Sequence, residues 1–291
     1  MAYKVIERRM IVPNIHELVI EASAGGLVKP GQFVIVRPDE KGERIPLSVS
    51  DFDPTRGVVT CFFQEVGETT SKLALLKAGD TIPTFVGPLG EASEIAHFGT
   101  VLLIGGCFGI GSIYPIAKAM KAAGNTVHVL IEARSSFLLY WEDRFEELVD
   151  GFHVITRDGT KGYKGHISKL PQILKNEELK PDRVIVNGCT FLMKRASDMT
   201  RELQIHTMVN MNPIMIDGTG MCGVCRLTVG GQTKFACVDG PDFDGHLVDW
   251  KEFLMRRKTY YEEEVTPLRK SGVGTEFHLS GKHKHKCLEK N

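Results

Sequence analysis

The sequence predicts an antiparallel β-barrel followed by a doubly wound α/β domain, with a small cysteine-rich lobe near the C-terminus. Three observations carry this. Residues 3–86 are short apolar-rich runs separated by turn residues, the pattern of a small all-β unit. From residue 100 the rhythm becomes strand, turn, helix, repeated four times, which implies a parallel sheet with right-handed crossovers. Between 212 and 245 the chain turns rich in Cys and Gly. The expected division is a barrel over 1–98, a nucleotide-binding-type domain over 99–211, the cysteine-rich lobe over 212–245, and a C-terminal helix and tail over 246–291.

Each element has a local reason. The runs YKVIERRMIV, IHELVIEA, GQFVIVRP, IPLSVSDF, GVVTCFFQEV and DTIPTFV are strands bounded by Asn14, Gly25-Gly26, Gly42, Asp53-Pro54 and Gly79-Asp80, residues that close turns. One helix interrupts them at 69–77, with Leu73 and Leu76 on one face and Gly67 leading in. The later units pair TVLLIGG with GSIYPIAKAMKAAG, NTVHVLIEA with FLLYWEDRFEELV, GFHVIT with HISKLPQIL, and RVIVNG with TFLMKRASDMTREL. In the cysteine-rich block, RLTVGGQTKFAC signals a hairpin turning at Gly230-Gly231. A charged helix, HLVDWKEFLMRRKTYYEEE, follows, and the last fifteen residues, with His283, His285 and Cys287, read as a basic tail.

Composition narrows the function. The 291 residues carry 36 Lys and Arg against 36 Asp and Glu, so no global field recruits nucleic acid or an anionic membrane. The longest apolar stretches, such as 101–104, are far short of the ~20 residues that span a bilayer, and the start MAYKVIERRM lacks the apolar core of a signal peptide. A cytoplasmic protein without nucleic-acid or membrane partners is expected. Seven scattered cysteines, three of them between 222 and 237, suit metal or redox chemistry better than a disulfide framework.

In IDGTGMCGVCRLTVGGQTKFACVDGPDF the ligand-capable residues Asp217, Cys222, Cys225 and Cys237 fit the plant-type [2Fe-2S] spacing C-x4-C-x2-C…C, with Asp217 where the first Cys would stand. Gly218, Gly220 and Gly223 supply positions where side chains would obstruct a loop wrapping an inorganic core. Asp239, Asp242 or Asp244 could also offer an oxygen, but only Asp217 falls in this register. A carboxylate is a harder ligand than a thiolate and should shift the cluster potential. The same cysteines with His246 would equally make a Cys3His zinc site, and unligated buried cysteines are a third reading.

The segment VLLIGGCFGIGSIYPIAKAM places Gly105, Gly106, Gly109 and Gly111 between an apolar strand and a helix. Backbone that approaches a pyrophosphate needs residues without side chains, and the helix N-terminus offers N–H donors. The order GGxxGxG departs from G-x-G-x-x-G, so a plain glycine-rich turn remains an alternative. The next strand ends in Glu132 and Arg134: a carboxylate for ribose hydroxyls would favour NAD, a guanidinium for a 2′-phosphate NADP. Asn187, Gly188 and Cys189 end the fourth unit's strand, where a nicotinamide would lie. In the barrel, Arg44, Pro46 and Ser48 alternate onto one side of a strand, and Thr69 and Thr70 open the helix, a reasonable diphosphate grip.

The order barrel, nucleotide sheet, cysteine cluster resembles the ferredoxin-NADP reductase-like flavoproteins over about residues 3–250. It is most similar to the branch holding the dihydroorotate dehydrogenase electron-transfer subunit and the small subunit of NADH-dependent reduced ferredoxin:NADP oxidoreductase. The resemblance rests on Arg44-Ile-Pro-Leu-Ser48, Gly67-Glu-Thr-Thr70, Gly87-Pro-Leu-Gly90, the run from Gly105 to Pro115, Asn187-Gly-Cys-Thr-Phe-Leu-Met193 and the cluster block. It implies FAD in the barrel, with Leu47 beside the isoalloxazine, Ser48 near N5 as the catalytic contact, and Gly67, Thr69 and Thr70 at the diphosphate. Ile45 stands where the family has its arginine, leaving Arg44 one residue out of register, and Cys189 replaces a family proline. Asp217 instead of a fourth cysteine favours the ferredoxin:NADP oxidoreductase sub-branch. The implied activity moves electrons between NAD(H), with NADP(H) the alternative, FAD and a [2Fe-2S] cluster. The implied partner is a larger flavin- and iron-sulfur-containing subunit of a bifurcating enzyme, through which ferredoxin is met indirectly and which transhydrogenation requires. The other readings are a dihydroorotate dehydrogenase electron-transfer subunit, a stand-alone NAD(P)H reductase and a zinc-stabilised nucleotide-binding regulatory module.

Overall fold

The computed structural model describes residues 2–22 and 28–259. The N-terminal strands β1 (Tyr3–Val12), β2 (Ile15–Glu21), β3 (Phe33–Arg37), β4 (Ile45–Asp53), β5 (Val58–Gln64), β6 (Thr81–Ile82) and β7 (Thr84–Leu89) form one antiparallel sheet in the order β6-β1-β2-β5-β4-β3-β7. Its two edges, β6 and β7, are separated in the chain by Pro83 alone. The sheet therefore curls round on itself into a near-closed barrel, which hides edges that would otherwise be open to other chains. Alternate residues of the strands fill its interior: Val34, Val36, Val49, Val59, Cys61 and Phe63 are all buried. The helix α1 (Glu68–Ala74) lies between β5 and β6 and buries Leu73. It is shorter than the expected 69–77.

The second sheet runs β11-β10-β9-β8-β12-β13-β16. Its strands are β8 (Thr100–Gly106), β9 (Thr126–Ala133), β10 (Gly151–Thr156), β11 (Tyr163–Lys164), β12 (Arg183–Asn187), β13 (His206–Asn210) and β16 (Asp242–Asp244), and all but β16 pair in parallel. The helices α2 (Gly109–Ala122), α3 (Glu142–Leu148), α4 (Leu170–Asn176) and α5 (Thr190–Glu202) complete the doubly wound domain. Strand order reverses between β8 and β12, so the crevice beyond their C-terminal ends is where such a sheet takes a ligand.

Several elements differ from the sequence reading for local reasons. The helix expected over 137–149 begins only at Glu142, because Trp141 takes a left-handed φ of 60° after a short 3-10 turn at Ser136–Leu138. The segment HISKLPQIL splits into a 3-10 turn at Ile167–Lys169 and α4, with Pro171 in the first turn of α4, where its missing N–H costs nothing. The charged C-terminal helix is α6 (Trp250–Arg257), and residues 260–291, including the basic tail, lie outside the described residues.

The cysteine-rich segment is no detached lobe. It contains the hairpin β14 (Arg226–Val229) and β15 (Gln232–Phe235), then contributes β16 antiparallel to β13. Met211 donates its N–H to Pro241 O at 2.8 Å and Glu91 to Gly240 O at 2.6 Å. One buried cluster joins Phe33 and Ile35 of the barrel, Val186 and Val209 of the sheet, and Cys225 and Trp250. The three parts therefore share a core, which fixes their sites relative to one another.

Candidate functional site

Between barrel and sheet lies a cavity of about 970 Å³. Arg44, Pro46, Leu47, Ser48, Gly67, Thr69, Thr70 and Asn187 all border it, so the two halves of the sequence that carried separate motifs meet here. On β4 the alternation is as the strand requires: Leu47 is 6% exposed and packs into the barrel core, while Pro46 and Ser48 are less buried. At the start of α1, Thr70 Oγ1 accepts the N–H groups of Val66 and Gly67 at 2.9 Å each. This hydroxyl shapes the turn that presents Gly67 and Thr69 to the cavity. Arg44 reaches out of the barrel, and its Nη2 donates to Asp217 O at 3.3 Å. Its Nε is buried without any partner, a donor that calls for an acceptor from a ligand. Volume, apolar walls and an orphaned cationic donor fit an FAD.

Residues 210–216, Phe62, Phe63 and Arg257, which no motif marks, also border this cavity, as does Phe108 of the glycine-rich turn. Phe62 and Phe63 carry no signal beyond that of apolar strand residues, and Arg257 none beyond that of a cation on a charged helix.

A smaller pocket of about 220 Å³ opens beyond the ends of β8, β9 and β12, bordered by Gly106, Cys107, Glu132, Arg134, Arg157 and Cys189 among others. The glycines around it divide by role. A Cβ on Gly109 would sit 2.2 Å from Asn187 O, and one on Gly188 2.8 Å from Gly106 O, so these let β8, α2 and the end of β12 approach. A Cβ on Gly105 would likewise sit 3.0 Å from Ile110 Cα. Gly111 differs from the phosphate contact expected of it: its N–H goes to Tyr140 Oη at 3.0 Å, and a Cβ there would meet Phe62 at 2.6 Å. Tyr140 Oη also donates to Cys107 O at 2.9 Å and its ring stacks on Phe62. Gly111 is therefore needed for the packing of the nucleotide turn on the barrel.

Glu132 is 6% exposed. Its Oε2 accepts the Ile167 N–H at 2.7 Å, and its Oε1 lies 3.4 Å from Arg157 Nη2. Burial pushes its carboxyl above the usual range, while Arg157 and the Ile167 N–H pull the other way. The carboxylate thus arrives at the pocket already oriented, and Arg157 joins Arg134 as a second cation beside it. Cys189 is the N-cap residue of α5, and burial pushes its thiol upward.

In the cysteine-rich segment, Cys225 and Cys237 are 2% exposed each and their sulfurs are 3.2 Å apart. Two sulfurs bound at ~2.3 Å to one tetrahedral metal atom lie about 3.8 Å apart, so this pair stands close to the spacing of two ligands of one iron. Burial and the neighbouring Cys225 sulfur push the Cys237 thiol up to about 12, as expected of two buried sulfurs facing one another without a cation. Gly218, Gly220 and Gly223 have φ of 83°, 85° and 67°, the left-handed values that let a loop curl tightly. The outer two candidates are placed differently. Cys222 is exposed, and the Asp217 carboxylate accepts from the Thr219 hydroxyl and N–H and from the Met221 N–H. Among the described residues no three His, Cys, Asp or Glu side chains converge on one point. His246, the fourth ligand of the zinc reading, instead bonds Thr200 Oγ1 through Nε2 at 3.0 Å. The loop therefore has a preformed dithiol floor, with Cys222 and Asp217 on the open side where a cluster would complete the set.

Residues 212–249 match the family described as the iron-sulfur cluster binding domain of dihydroorotate dehydrogenase B. The chain is 45% identical over 262 residues to a protein of Thermotoga maritima named a homolog of the dihydroorotate dehydrogenase B (NAD(+)) electron transfer subunit, covering 90% of this chain and 92% of that one. The electron transfer subunit from Streptococcus thermophilus is 32% identical, with 82% and 94% covered. Among solved structures, a chain from work on flavin-based electron bifurcation by NADH-dependent reduced ferredoxin-NADP oxidoreductase superposes with TM-score 0.87 at 43% identity, over 93% of this chain and 98% of that one. A ferredoxin NADP+ reductase from Neisseria gonorrhoeae, solved with FAD and NADP, has TM-score 0.59 at 17% identity, covering 72% of this chain and 98% of that one; that likeness is one of fold. No helix among the described residues is long and apolar enough to cross a membrane.

Proposed function

The chain belongs to the family of dihydroorotate dehydrogenase B electron-transfer subunits and their homologues, and on that premise we propose that it is the flavo-iron-sulfur subunit of a cytoplasmic, electron-bifurcating ferredoxin:NADP oxidoreductase. It moves electrons between NAD(H), FAD and a [2Fe-2S] cluster, and passes them to or from a larger subunit with its own flavin and iron-sulfur centres, which meets ferredoxin and completes transhydrogenation. The observation that carries this reading is the likeness, over 93% of the chain, to the bifurcating oxidoreductase. Asp217 at the first ligand position supports it over the four-cysteine sub-branch.

When bound, FAD exchanges hydride with a nicotinamide and single electrons with the cluster. The protein's own residues position and tune. Ser48, on the wall of β4, would face the reacting edge of a bound flavin, and Leu47, held by the barrel core, keeps that wall rigid. Gly67, Thr69 and Thr70 shape the phosphate end of the cavity. Gly106 and Asn187 would line the path of the nucleotide and Glu132 and Arg134 would read its ribose, while Asn187 borders both the sheet and the flavin cavity. Position, more than acid-base chemistry, is what such a site contributes. Asp217, Cys222, Cys225 and Cys237 would hold the cluster, on a loop tied to the cavity wall by Arg44.

Visible absorption of anaerobically purified protein, with iron and flavin counted on the same sample, tests this. Flavin bands with a broad iron-sulfur shoulder and about two irons per chain are expected; zinc without flavin overturns it. The family names favour a second reading, the electron-transfer subunit of a dihydroorotate dehydrogenase, and copurification with a subunit that oxidises dihydroorotate would select it.

A further inference from the structure

We propose that Arg257, on the C-terminal helix, is a phosphate-binding residue of the flavin cavity that takes up the charge of the FAD diphosphate. This rests on the flavin reading of that cavity.

Three arginines border the cavity: Arg37, Arg44 and Arg257. Two are anchored by contacts within the protein, although the Arg44 Nε stays unpaired. Arg37 donates through Nε to Thr84 Oγ1 at 3.2 Å and through Nη2 to Glu40 Oε2 at 2.8 Å. Arg44 is turned by its Nη2 toward Asp217 O. The Arg257 side chain makes no hydrogen bond or ion pair with any described residue, and the residue is half-buried. Of the two carboxylates on the wall, Glu43 and Glu68, the second pairs with Lys72 at 3.1 Å. A guanidinium that gives up part of its hydration without a counter-ion is costly unless an anion arrives, and its planar fork suits phosphate oxygens. After Arg44, the same barrel wall continues with Ile45, Pro46, Leu47 and Ser48, so β4 supplies no second cation.

The helix that presents Arg257 is firmly seated. Trp250 and Phe253 are buried in the shared core, and Trp250 Nε1 donates to Gly245 O at 2.9 Å. Consecutive residues on a helix point about 100° apart, and the neighbouring Arg256 uses this to grip the cluster loop, its Nη2 donating to Val224 O at 3.1 Å between Cys222 and Cys225. The helix α6 thus sets one arginine on the cluster loop and the next on the flavin cavity. Retention of the dinucleotide becomes coupled to the C-terminal helix, although no described C-terminal residue belongs to the barrel.

The test compares ligands with and without phosphate on the full-length protein, stripped of flavin and retaining its cluster absorbance. FAD and riboflavin affinities are measured by fluorescence quenching for wild type, Arg257→Ala and Arg257→Lys. Loss of a charge-assisted phosphate contact should weaken FAD about tenfold or more in Arg257→Ala, leave riboflavin unchanged, and be partly rescued in Arg257→Lys. Equal FAD affinity in wild type and Arg257→Ala overturns the assignment. So does an equal loss for both ligands, which would mean that Arg257 acts by packing or by complementing the C-terminal end of α6. Wild-type protein that binds neither flavin refutes the cofactor reading itself, a separate outcome.

Discussion

The guanidinium of Arg44, at the edge of a barrel strand, donates to the backbone carbonyl of Asp217, at the head of the cluster loop, across 3.3 Å. Residues far apart in sequence thereby link the wall of the flavin cavity to the first candidate ligand of the iron-sulfur site. The same cation lowers the Asp217 carboxyl, after the larger effect of the Thr219 hydroxyl. A fixed positive charge beside a cluster favours its reduced, more negative state. Arg44→Ala should therefore lower the cluster midpoint potential, as followed by redox titration with electron paramagnetic resonance, and Arg44→Lys should restore part of the shift. An unchanged potential in both variants would show that the link is only mechanical.

Cys225 and Cys237 form the buried floor of the cluster loop, and the Cys237 thiol is pushed from 9.0 up to about 12 by burial and by its neighbour. Metal ligation must expel those protons. Cluster reconstitution into the iron-free protein should accordingly speed up as pH rises and should release protons. Stability of the iron-free protein runs in the opposite sense. The folded thiol titrates above its unfolded value, so its contribution is fully present below pH 9 and is lost as pH climbs towards 12. Cys225→Ala should abolish iron binding, and Asp217→Cys should keep a cluster with a shifted potential. Wild-type iron content in Cys225→Ala would sink the ligand assignment.

Much of this organisation is legible because its causes are local. The alternation that buries Leu47 and turns Ser48 towards the cavity follows from strand geometry alone, and the glycines of β8 and α2 announce a close backbone approach. What those glycines approach is not local. Gly111 reads as a phosphate contact until Tyr140 and Phe62 are seen against it. The short pairing of β16 with β13 leaves no periodic signal in three residues. Arg257 lies in a charged helix whose sequence cannot say which of its cations faces a cavity. The break before α3 depends on the left-handed Trp141, a conformation that a bulky residue adopts only when tertiary packing imposes it.

Glu132 meets the nucleotide pocket with both oxygens engaged, one by the Ile167 N–H and one near Arg157. Removing the carboxylate frees Arg157 and lifts the repulsion that a 2′-phosphate would feel. Glu132→Ala should thus weaken NADH more than NADPH, seen as a fall in the ratio of kcat/KM values for the two nucleotides. Equal losses would assign the carboxylate to holding Ile167 and nothing more.

Asp242 joins the three parts of the molecule: its Oδ2 accepts from Ser93 Oγ at 2.5 Å, on the segment leaving the barrel, and its Oδ1 from Asn210 Nδ2 at 2.7 Å, at the end of β13. Burial pushes its carboxyl above the usual range, against the pull of those two donors. A carboxyl whose folded value is raised contributes its full stability below its unfolded value and loses it as pH rises through the folded one. Asp242→Asn keeps an acceptor for Asn210 and lets the Ser93 hydroxyl reverse its role, while removing the titration. Its thermal midpoint should therefore gain on wild type as pH increases from acid to neutral. Asp242→Ala leaves two buried donors unpaired at ~1–3 kcal/mol each, so its midpoint should fall by at least about 4 °C. Scanning calorimetry of both variants across pH decides this, and an alanine variant as stable as wild type would show that the three parts are held by apolar packing alone.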